Sequence, residues 1–449
     1  MIKYCQIHNK KEAEIMNPLK FYLVTDTHYF EENLGVEGKA FENYMSREQY
    51  FMKESGEIIK SVFDKIAEDK ETDIVIIPGD LTKNGEKESH KSFIKKLYKL
   101  KESGKKIYVI TAAHDYNEHS FAFKNDERIE VGGTDFADLY DMYYDFGYNE
   151  ALAFDKRTHS YIAEITDGVR MLGINCDSYQ NPKGTMDDEF ISWAKIQLDK
   201  AKEDGCSVFA ICHYPIIPSV PVFDLVGDAK IKNWRKVASF LADNGVEFIM
   251  TGHMHIQSIN EFYSENGNRL IDVCTSCLVG SPAKYRKVTV DENSVMKVES
   301  ITVDCFDQEF FDKQFGQAIV NRVTGALSGG KGIVKHLKKL GKKIFENVTL
   351  GALSKVLWIK IDKSLRKKKL TELVAEIGLA IFVGDQPYVE GTPVHEMFKK
   401  LLKRFSFVIK KFEPKLEKDG IKINLIEMIM NTIGNNKGYS DNDAEFKLK

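Results

Sequence analysis

The sequence predicts a layered α/β domain that is followed by a helical region. Over the first two-thirds of the chain, short β-branched and aromatic runs alternate with stretches whose apolar residues recur at helical spacing. Such alternation is typical of a largely parallel sheet that is covered by helices. Beyond residue 305 the strand-like runs largely vanish, and patterns rich in Lys and Leu replace them. We therefore predict two units, residues 18–304 and residues 306–449.

Each predicted strand and helix of the first unit rests on its periodicity. The strand-like runs occupy residues 21–25, 73–78, 106–111, 169–175, 207–212 and 247–251. Helical spacing is found at residues 44–68, 86–102, 189–203 and 233–243. Three later runs lie close together with turn residues between them, at 270–275, 286–290 and 295–303. They predict an antiparallel addition that closes the domain.

The second unit is predicted to consist of amphipathic helices, at residues 310–323, 334–347, 370–382 and 394–411. The polar residues 435–449 predict a frayed tail. Basic runs at residues 338–339, 342–343 and 366–369 recur at helical spacing. They are typical of a solvated helix face, and contact with an anionic membrane surface or an acidic partner is the alternative.

The composition limits the class of protein. The chain has 449 residues, with 64 Lys and Arg against 67 Asp and Glu, and its formal net charge is −3. A general nucleic-acid binder would normally be basic, so that class is disfavoured. No apolar run reaches the ~18 residues of a membrane span, and the polar residues 1–14 lack the apolar core of a signal peptide. With seven cysteines, a modest number that suits reduced thiols, these features predict a cytoplasmic protein.

Five of the predicted strands are followed directly by carboxylates and imidazoles. These residues are Asp26 and His28, Asp80, His114 and Asp115, His213, and His253 and His255. In open α/β sheets, sites form outside the carboxyl ends of the strands, so these side chains should converge. Carboxylates and imidazoles without a thiolate select divalent ions such as Mn, Fe or Zn. Two such ions about 3.5–4 Å apart can clamp a phosphoryl group and lower the pKa of a bound water.

The order of these motifs resembles the calcineurin-like metallophosphoesterase family over about residues 18–304. The matching segments are Asp26-Thr27-His28, Gly79-Asp80-Leu81, Ala112-Ala113-His114-Asp115, His213 and Gly252-His253-Met254-His255. The resemblance implies a four-layer sandwich of two mixed β-sheets flanked by helices. Residues 79–86 also resemble the branch that includes bacterial cyclic-nucleotide phosphodiesterase-like proteins, which favours phosphodiesters over monoesters.

The resemblance implies a role for each of these residues. The implied ligands are Asp26, His28 and His255 for the first ion, Asp80 as the bridge, and His213 and His253 for the second ion. His114 would face the phosphate and assist the leaving oxygen, and Asp115 would orient His114 through a hydrogen bond. A metal-bound hydroxide would attack the phosphorus of a small phosphate ester or nucleotide in line.

One position departs from the family pattern. Ala113 stands where the family has an Asn that binds the second ion, and Ala offers no donor atom. Three interpretations stay open: the second site is weak, a neighbour such as Asn84, Asn117 or His119 substitutes, or the chain binds phospholigands or acts as a scaffold without turnover. Because the other ligands are all present, we favour a retained hydrolase.

Several other features receive an ordinary structural interpretation. The glycine-rich residues 325–332 lack the Ser or Thr and the preceding strand of a nucleotide-binding loop, so they predict a turn. Cys274 and Cys277 are interpreted as core or loop thiols, and His90 as a hydrogen-bonded or surface residue. The aromatic-rich residues 117–156 predict either a substrate cap or a small local core.

Overall fold

The chain folds into a four-layer α/β/β/α sandwich with helices after it, as the sequence predicts. The computed structural model describes residues 17–46, 48–178, 184–328, 345–407, 409, 417–418 and 421–449. The predicted helix at 334–347 and the basic runs at 338–339 and 342–343 lie mostly or wholly outside these residues, as does the second half of the turn at 325–332. The division into two units stays a prediction.

The first sheet contains six strands in the order β17-β14-β13-β1-β2-β3. These strands are β1 (Leu19–Leu23), β2 (Ile74–Pro78), β3 (Lys106–Ile110), β13 (Lys284–Val290), β14 (Val295–Thr302) and β17 (Ala444–Lys447). The strands β1, β2 and β3 are parallel, whereas β13, β14 and β17 add antiparallel neighbours on the other side of β1. The carboxyl ends of β1, β2 and β3 therefore meet at one edge.

The second sheet contains seven strands in the order β11-β12-β10-β9-β8-β7-β6. They are β6 (Ala151–Asp155), β7 (Ser160–Thr166), β8 (Val169–Ile174), β9 (Ser207–Cys212), β10 (Val246–Thr251), β11 (Ser258–Tyr263) and β12 (Arg269–Cys274). The run at 270–275 was expected in the antiparallel addition, but it forms β12, which pairs in parallel with β10. A separate hairpin joins β4 (His119–Lys124) to β5 (Glu127–Gly132).

The main core lies between the two sheets, and helices cover their outer faces. The ring of Phe209 stacks on Phe21 at 5.5 Å and on Phe248 at 5.0 Å, which joins the sheets through aromatic contact. The helices of this region are α1 (Lys39–Met45), α2 (Ser55–Glu68), α3 (Lys87–Glu102), α4 (Phe136–Met142), α5 (Asp188–Glu203) and α6 (Trp234–Asp243). Helix α5 begins where the Asp187 side chain accepts a hydrogen bond from the Phe190 N–H.

The predicted helix over residues 44–68 is shorter in the structure, because α2 begins only at Ser55. The residues before it pair with the loop after β12 instead. Tyr50 forms a β-bridge with Gly280, and the Phe51 N–H donates to the Val279 carbonyl at 2.8 Å. These backbone hydrogen bonds replace the ones that a longer helix would supply.

The second region is helical, but its last residues return to the first sheet. Its described helices are α7 (Gln308–Ser328), α8 (Leu350–Val356), α9 (Leu370–Val383), α10 (Pro393–Arg404) and α11 (Leu425–Ile433), with a short pair of strands, β15 (Glu417–Lys418) and β16 (Ile421–Lys422). The prediction of a frayed tail is wrong, because β17 pairs with β14 and Phe446 and Leu448 are buried in the main core. Among the described residues, no helix combines the length and the apolar character that crossing a membrane requires.

Candidate active site

The eight predicted site residues lie in the loops that follow β1, β2, β3, β9 and β10. Backbone hydrogen bonds tie these loops to one another: the His28 N–H donates to the Asp80 carbonyl and the Gly252 N–H donates to the His213 carbonyl. The hydrogen bond from Gly252 to His213 measures 2.9 Å. The carboxyl edges of the two sheets thus present their side chains to one common space.

Five of these residues adopt the left-handed backbone conformation, which non-glycine residues rarely adopt. Their φ angles are 51° for Asp26, 34° for His28, 51° for Asp80, 64° for His253 and 58° for His255. Such conformations cost of order 1–3 kcal/mol each and persist where the surroundings enforce them. Their concentration at one point marks it as a functional site.

Two glycines permit this close packing. Gly79 has a φ of 89°, and a Cβ there would lie 2.8 Å from the Ala112 Cβ. A Cβ on Gly252 would overlap the Asp26 carboxylate. The loops therefore approach each other at a distance that only glycine allows at these two positions.

The ligand atoms predicted for the first ion converge. The Nε2 atoms of His28 and His255 lie 3.1 Å apart, and His255 Nε2 lies 3.3 Å from Asp26 Oδ1. Two ligands of one tetrahedral ion with bonds of about 2.0–2.1 Å are about 3.3 Å apart. The spacing of these buried atoms therefore fits a single divalent ion.

Asp80 stands between the two predicted ion positions. Its Oδ2 lies 3.0 Å from His213 Nε2 and 3.7 Å from His28 Nε2. Ligand atoms of Asp80, His213 and His253 also lie within 4.8 Å of one another. One carboxylate thus reaches a ligand of each predicted set, as a bridge between two ions requires.

Outer hydrogen bonds orient two of the imidazoles. The Nδ1–H of His213 donates to the Pro78 carbonyl at 2.9 Å, and the Nε2–H of His253 donates to the Asp228 carbonyl at 2.8 Å. The other nitrogen of each ring is then available to an ion, and that of His213 faces Asp80 Oδ2 at 3.0 Å. Tyr214 stacks on the His253 ring at 3.8 Å and fixes its plane. The residues fit a pair of divalent ions.

The electrostatics of the cluster favour a cation. Burial pushes the pKa of Asp80 upward, but His213, His114 and His28 hold it well below its usual range. Burial lowers the pKa of His213, yet Asp80 and then Asp26 raise it to about 10. Two buried carboxylates therefore stabilise positive charge at the point where the imidazoles meet.

The predicted hydrogen bond between Asp115 and the His114 ring is wrong. His114 Nδ1–H donates to the Lys83 carbonyl at 2.6 Å, while its backbone N–H donates to Asp80 Oδ1 at 3.1 Å. The Asp115 carboxylate accepts from the Thr82 N–H and the Ala112 N–H, both at 2.9 Å. Because Asp115 ends a 3₁₀ turn, its side chain folds back on the start of that turn and supports the loops rather than the imidazole.

Three further residues surround the centre: Tyr50 was not singled out from the sequence, whereas Cys277 is a core thiol and His90 a hydrogen-bonded residue, as predicted. Tyr50 stacks on the His28 ring at 4.5 Å, and Cys277 donates its S–H to the Asp26 carbonyl at 3.0 Å. His90 is buried, and its Nε2–H donates to the Asp115 carbonyl while Nδ1 accepts from Tyr143. Burial lowers the pKa of His90 to about 4, so this ring is a neutral structural link. The spacing of Cys274 and Cys277 after a predicted strand was the available signal for Cys277.

Two of the three proposed substitutes for the missing Asn have other partners. The Asn117 Oδ1 accepts from the His119 N–H at 3.0 Å, and the exposed His119 ring pairs with Glu130 at 2.9 Å on the β4–β5 hairpin. The side-chain amide of Asn84 makes no hydrogen bond within the described part of the chain. Ala113 itself is exposed next to His114.

The aromatic residues of the segment at 117–156 form a local core for the most part. Tyr143, Phe146 and Tyr148 are buried, whereas Tyr144 is 45% exposed. Their rings contact one another and Tyr161 of β7. These aromatic residues therefore support the sheets beneath them.

Comparison with known proteins identifies the family of the chain and several similar structures. The family model described as calcineurin-like phosphoesterase matches residues 19–257, more than half of the chain. A dimetal phosphatase from Danio rerio is similar at 12% identity and a TM-score of 0.42, over 64% of this chain and 99% of its own. A purple acid phosphatase from yellow lupin (Lupinus luteus) is similar at 12% identity and a TM-score of 0.41, over 66% of this chain and 54% of its own. No curated protein matches the chain.

Proposed function

We propose that this chain, which belongs to the calcineurin-like phosphoesterase family, hydrolyses phosphodiesters at a dinuclear centre whose second metal site is weakened. The family makes the chain a metal-dependent phosphoesterase with two divalent ions. The observation that carries the proposal is Asp80 Oδ2, which lies 3.0 Å from His213 Nε2 and 3.7 Å from His28 Nε2. A shared carboxylate of this kind holds two ions at the distance that phosphoryl transfer uses.

The proposed ligands divide the chemistry among the chain's own residues. They are Asp26, His28 and His255 for one ion, His213 and His253 for the other, and Asp80 for both. When bound, the ions supply a water of lowered pKa and neutralise the phosphate charge. His114 gives its Nδ1–H to Lys83, so its Nε2 is the nitrogen that exchanges a proton with the leaving oxygen. Mn, Fe or Zn suits this mixture of carboxylate and imidazole.

The charge near the site supports a diester substrate. Lys83 lies beside the site, since its carbonyl accepts the Nδ1–H of His114 at 2.6 Å. Its ammonium group is buried over the rings of Tyr50 and Tyr44, at 4.8 Å and 5.4 Å, and it also interacts with Glu48 and Glu86. A lysine whose charge is shared in this way adds little for a dianionic monoester, so a singly charged diester, including one derived from a nucleotide, is the better fit.

The weakened second site is testable with one substitution. We would measure hydrolysis of an aryl phosphodiester and an aryl phosphomonoester while titrating Mn²⁺, for the native chain and for Ala113→Asn. The native chain should need high Mn²⁺, and Ala113→Asn should lower that requirement by about 10–100-fold, the usual effect of a lost ligand contact. Ala352→Asn, an exposed position on α8, is the matched control and should change nothing.

A phospholigand-binding or scaffold protein without turnover is the second candidate. Ala113 favours it, because the side chain at this exposed position has no donor for an ion or a phosphate. Equilibrium dialysis that finds bound metal and bound phosphodiester, with no turnover in either the native chain or Ala113→Asn, would establish this candidate. Metal-dependent turnover by either form would end it.

A cytoplasmic location is part of the same proposal. The cysteines of the described residues are free, even where Cys176 Sγ and Cys212 Sγ lie only 3.3 Å apart. Disulfides are rare in reducing compartments, so a cytoplasmic location predicts that these two thiols stay reduced despite their proximity. Cell fractionation followed by thiol labelling tests this location, and recovery of the chain with oxidised thiols from an extracytoplasmic fraction would contradict it.

A further inference from the structure

The side chain of Cys277 lies beside the ligands of the first ion. Its Sγ, a ring nitrogen of His28 and a ring nitrogen of His255 lie within 4.8 Å of one another. The thiol is 1% exposed. The loop that carries it is fixed to the end of β1, because the Leu278 N–H donates to the Thr25 carbonyl and the Thr25 hydroxyl donates to the Ser276 carbonyl. Cys277 is therefore held at the centre by the fold.

We propose that Cys277 is an additional ligand of the first ion, an inference that rests on the proposed function. An ion with a metal–sulfur bond of about 2.3 Å and a metal–nitrogen bond of about 2.0–2.1 Å holds S and N about 3.6 Å apart. The observed limit of 4.8 Å leaves at most about 1.2 Å to be closed, which a rotation of the side chain provides. On binding, the thiol releases its proton to solvent and the sulfur bonds the ion as a thiolate.

This ligand would make the two metal sites chemically different. A thiolate favours Zn, Fe or Co over Mg and Mn, because soft ligands prefer these ions. The second set, Asp80, His213 and His253, contains no thiol. The first site would then keep a borderline-soft ion tightly, while the second site exchanges its ion more easily.

Cobalt spectroscopy on the full chain separates this inference from the proposed function. Bound Co²⁺ gives visible d–d bands at any site, and a thiolate ligand adds a sulfur-to-cobalt charge-transfer band in the near ultraviolet. We expect that band in the native chain. We also expect it in the control Cys274→Ser, because the native Cys274 thiol donates to the Gly252 carbonyl and is not part of the first ion's ligand set. We expect Cys277→Ser and Cys277→Ala to lose it and to bind Zn²⁺ about 10–100-fold more weakly in competition with a chelator.

Two results would overturn the inference in distinguishable ways. Visible bands without the charge-transfer band in the native chain would show a metal centre that does not use Cys277. No cobalt bands in the native chain would remove the metal centre itself, and the proposed function with it. The native spectrum decides both questions even if a variant fails to fold.

A second and independent observation concerns the surface around Trp358. Trp358 is 85% exposed at a left-handed turn after α8, and Val356 is 74% exposed. Residues 355–369 contain seven Lys or Arg and one Asp. The Lys400 ammonium of α10 donates to the Lys360 carbonyl at 3.1 Å, which places this cation of α10 beside residues 355–369. The exposed cations that define this surface, the Trp358 surface, include Lys360, Lys363, Arg366, Lys367, Lys400 and Lys403.

We infer that the Trp358 surface docks on an anionic lipid bilayer. Trp favours the boundary between headgroups and acyl chains, and each Lys or Arg near an anionic leaflet contributes about 1 kcal/mol. An aromatic side chain this exposed, within a stretch that holds seven cations and one Asp, matches both preferences.

Vesicle flotation of the full chain tests this docking. We expect binding to phosphatidylcholine vesicles that contain phosphatidylglycerol, release by salt, and a blue shift of Trp358 emission. Trp358→Ser should weaken binding about tenfold and the combination Lys363→Glu with Lys367→Glu at least about 30-fold, whereas Ile196→Ser, at a 62% exposed position on α5, should not weaken it. Equal recovery with neutral vesicles, no flotation, or binding only to a polyglutamate resin would overturn the inference.

Discussion

The α/β sandwich buries the charged groups of its candidate site, whereas the helical region exposes most of its lysines. In the sandwich, Asp26, Asp80 and His213 are almost completely buried and face one another across loops from two sheets. In the helical region, the lysines of residues 355–369 are mostly exposed, and within the described residues no metal-binding cluster of His, Cys, Asp or Glu occurs there. The contrast teaches that buried chemistry needs the rigid support of two sheets, whereas the helices offer surface.

The two regions also differ in what stabilises them. The sandwich has a large core that includes side chains of both sheets and of β17, and a second core that includes side chains of α5 and α6. The described helical residues share a small core around Leu350, Ile361 and Met397. We therefore expect substitutions to divide by region, and the following predictions run from the largest expected effect to the smallest.

Asp80→Asn should abolish most activity, since it removes the negative charge of the carboxylate that is proposed to bridge the two ions. Loss of an outer contact at a metal site already costs about 10–100-fold, so we expect a fall of more than about 100-fold in kcat/KM. The assay is diester hydrolysis at saturating Mn²⁺, with circular dichroism to check the fold. Asp362→Asn, an exposed carboxylate of the helical region, is the control. Activity within a few-fold of native in Asp80→Asn would contradict the bridging role.

Phe446→Ala should lower the free energy of unfolding by about 3 kcal/mol, because it empties a buried core position of β17. Phe407→Ala, at a position 83% exposed in the helical region, should stay within about 0.5 kcal/mol of native. Urea unfolding measures both. Equal effects would mean that the tail does not belong to the core of the sandwich.

Gly252→Ala should destabilise the sandwich by about 2 kcal/mol and weaken metal binding, because the new Cβ overlaps the Asp26 carboxylate. Gly316→Ala should instead stabilise α7 by about 0.5–1 kcal/mol, since its Cβ would meet only the Ala375 Cβ at 3.4 Å. Thermal unfolding measures the stability of the two variants, and cobalt titration measures their metal binding. If both substitutions changed the free energy of unfolding in the same direction, the distinction between the two regions would not hold.

Glu86 should make the stability of the sandwich depend on pH. Burial raises the pKa of Glu86 from 4.5 to about 7, so the folded chain holds this proton more tightly than the unfolded chain. The contribution is present below the unfolded pKa and is lost as pH rises through the folded pKa, by on the order of 2 kcal/mol. Glu86→Gln should therefore gain stability relative to native between about pH 5 and pH 8. Urea unfolding of both proteins at pH 5 and at pH 8 tests this. A difference in the free energy of unfolding that is the same at both pH values would contradict the prediction.

The sequence located the strands of the sandwich well because each combines apolar β-branched residues with a polar turn. The predicted runs at 207–212 and 247–251 differ from β9 and β10 by at most one residue. The prediction was poorer where partners lie far away in the chain. The residues before α2 have a helical pattern, yet Tyr50 and Phe51 pair with the loop after β12. Hydrogen bonds to so distant a loop leave no local periodicity.

What the sequence by itself determined is the identity of the loops that carry the candidate metal ligands. Asp26, His28, Asp80, His213, His253 and His255 each follow a strand, and parallel strands end at a common edge, so the order of residues along the chain already implies their convergence. Only the tertiary structure decided the partners of these residues. It gives His114 the Lys83 carbonyl rather than Asp115, and it brings Cys277 to Asp26 across 251 positions of the chain. The reason is physical: the direction of a side chain at the end of a strand depends on the left-handed turn that follows, and tertiary packing enforces that turn.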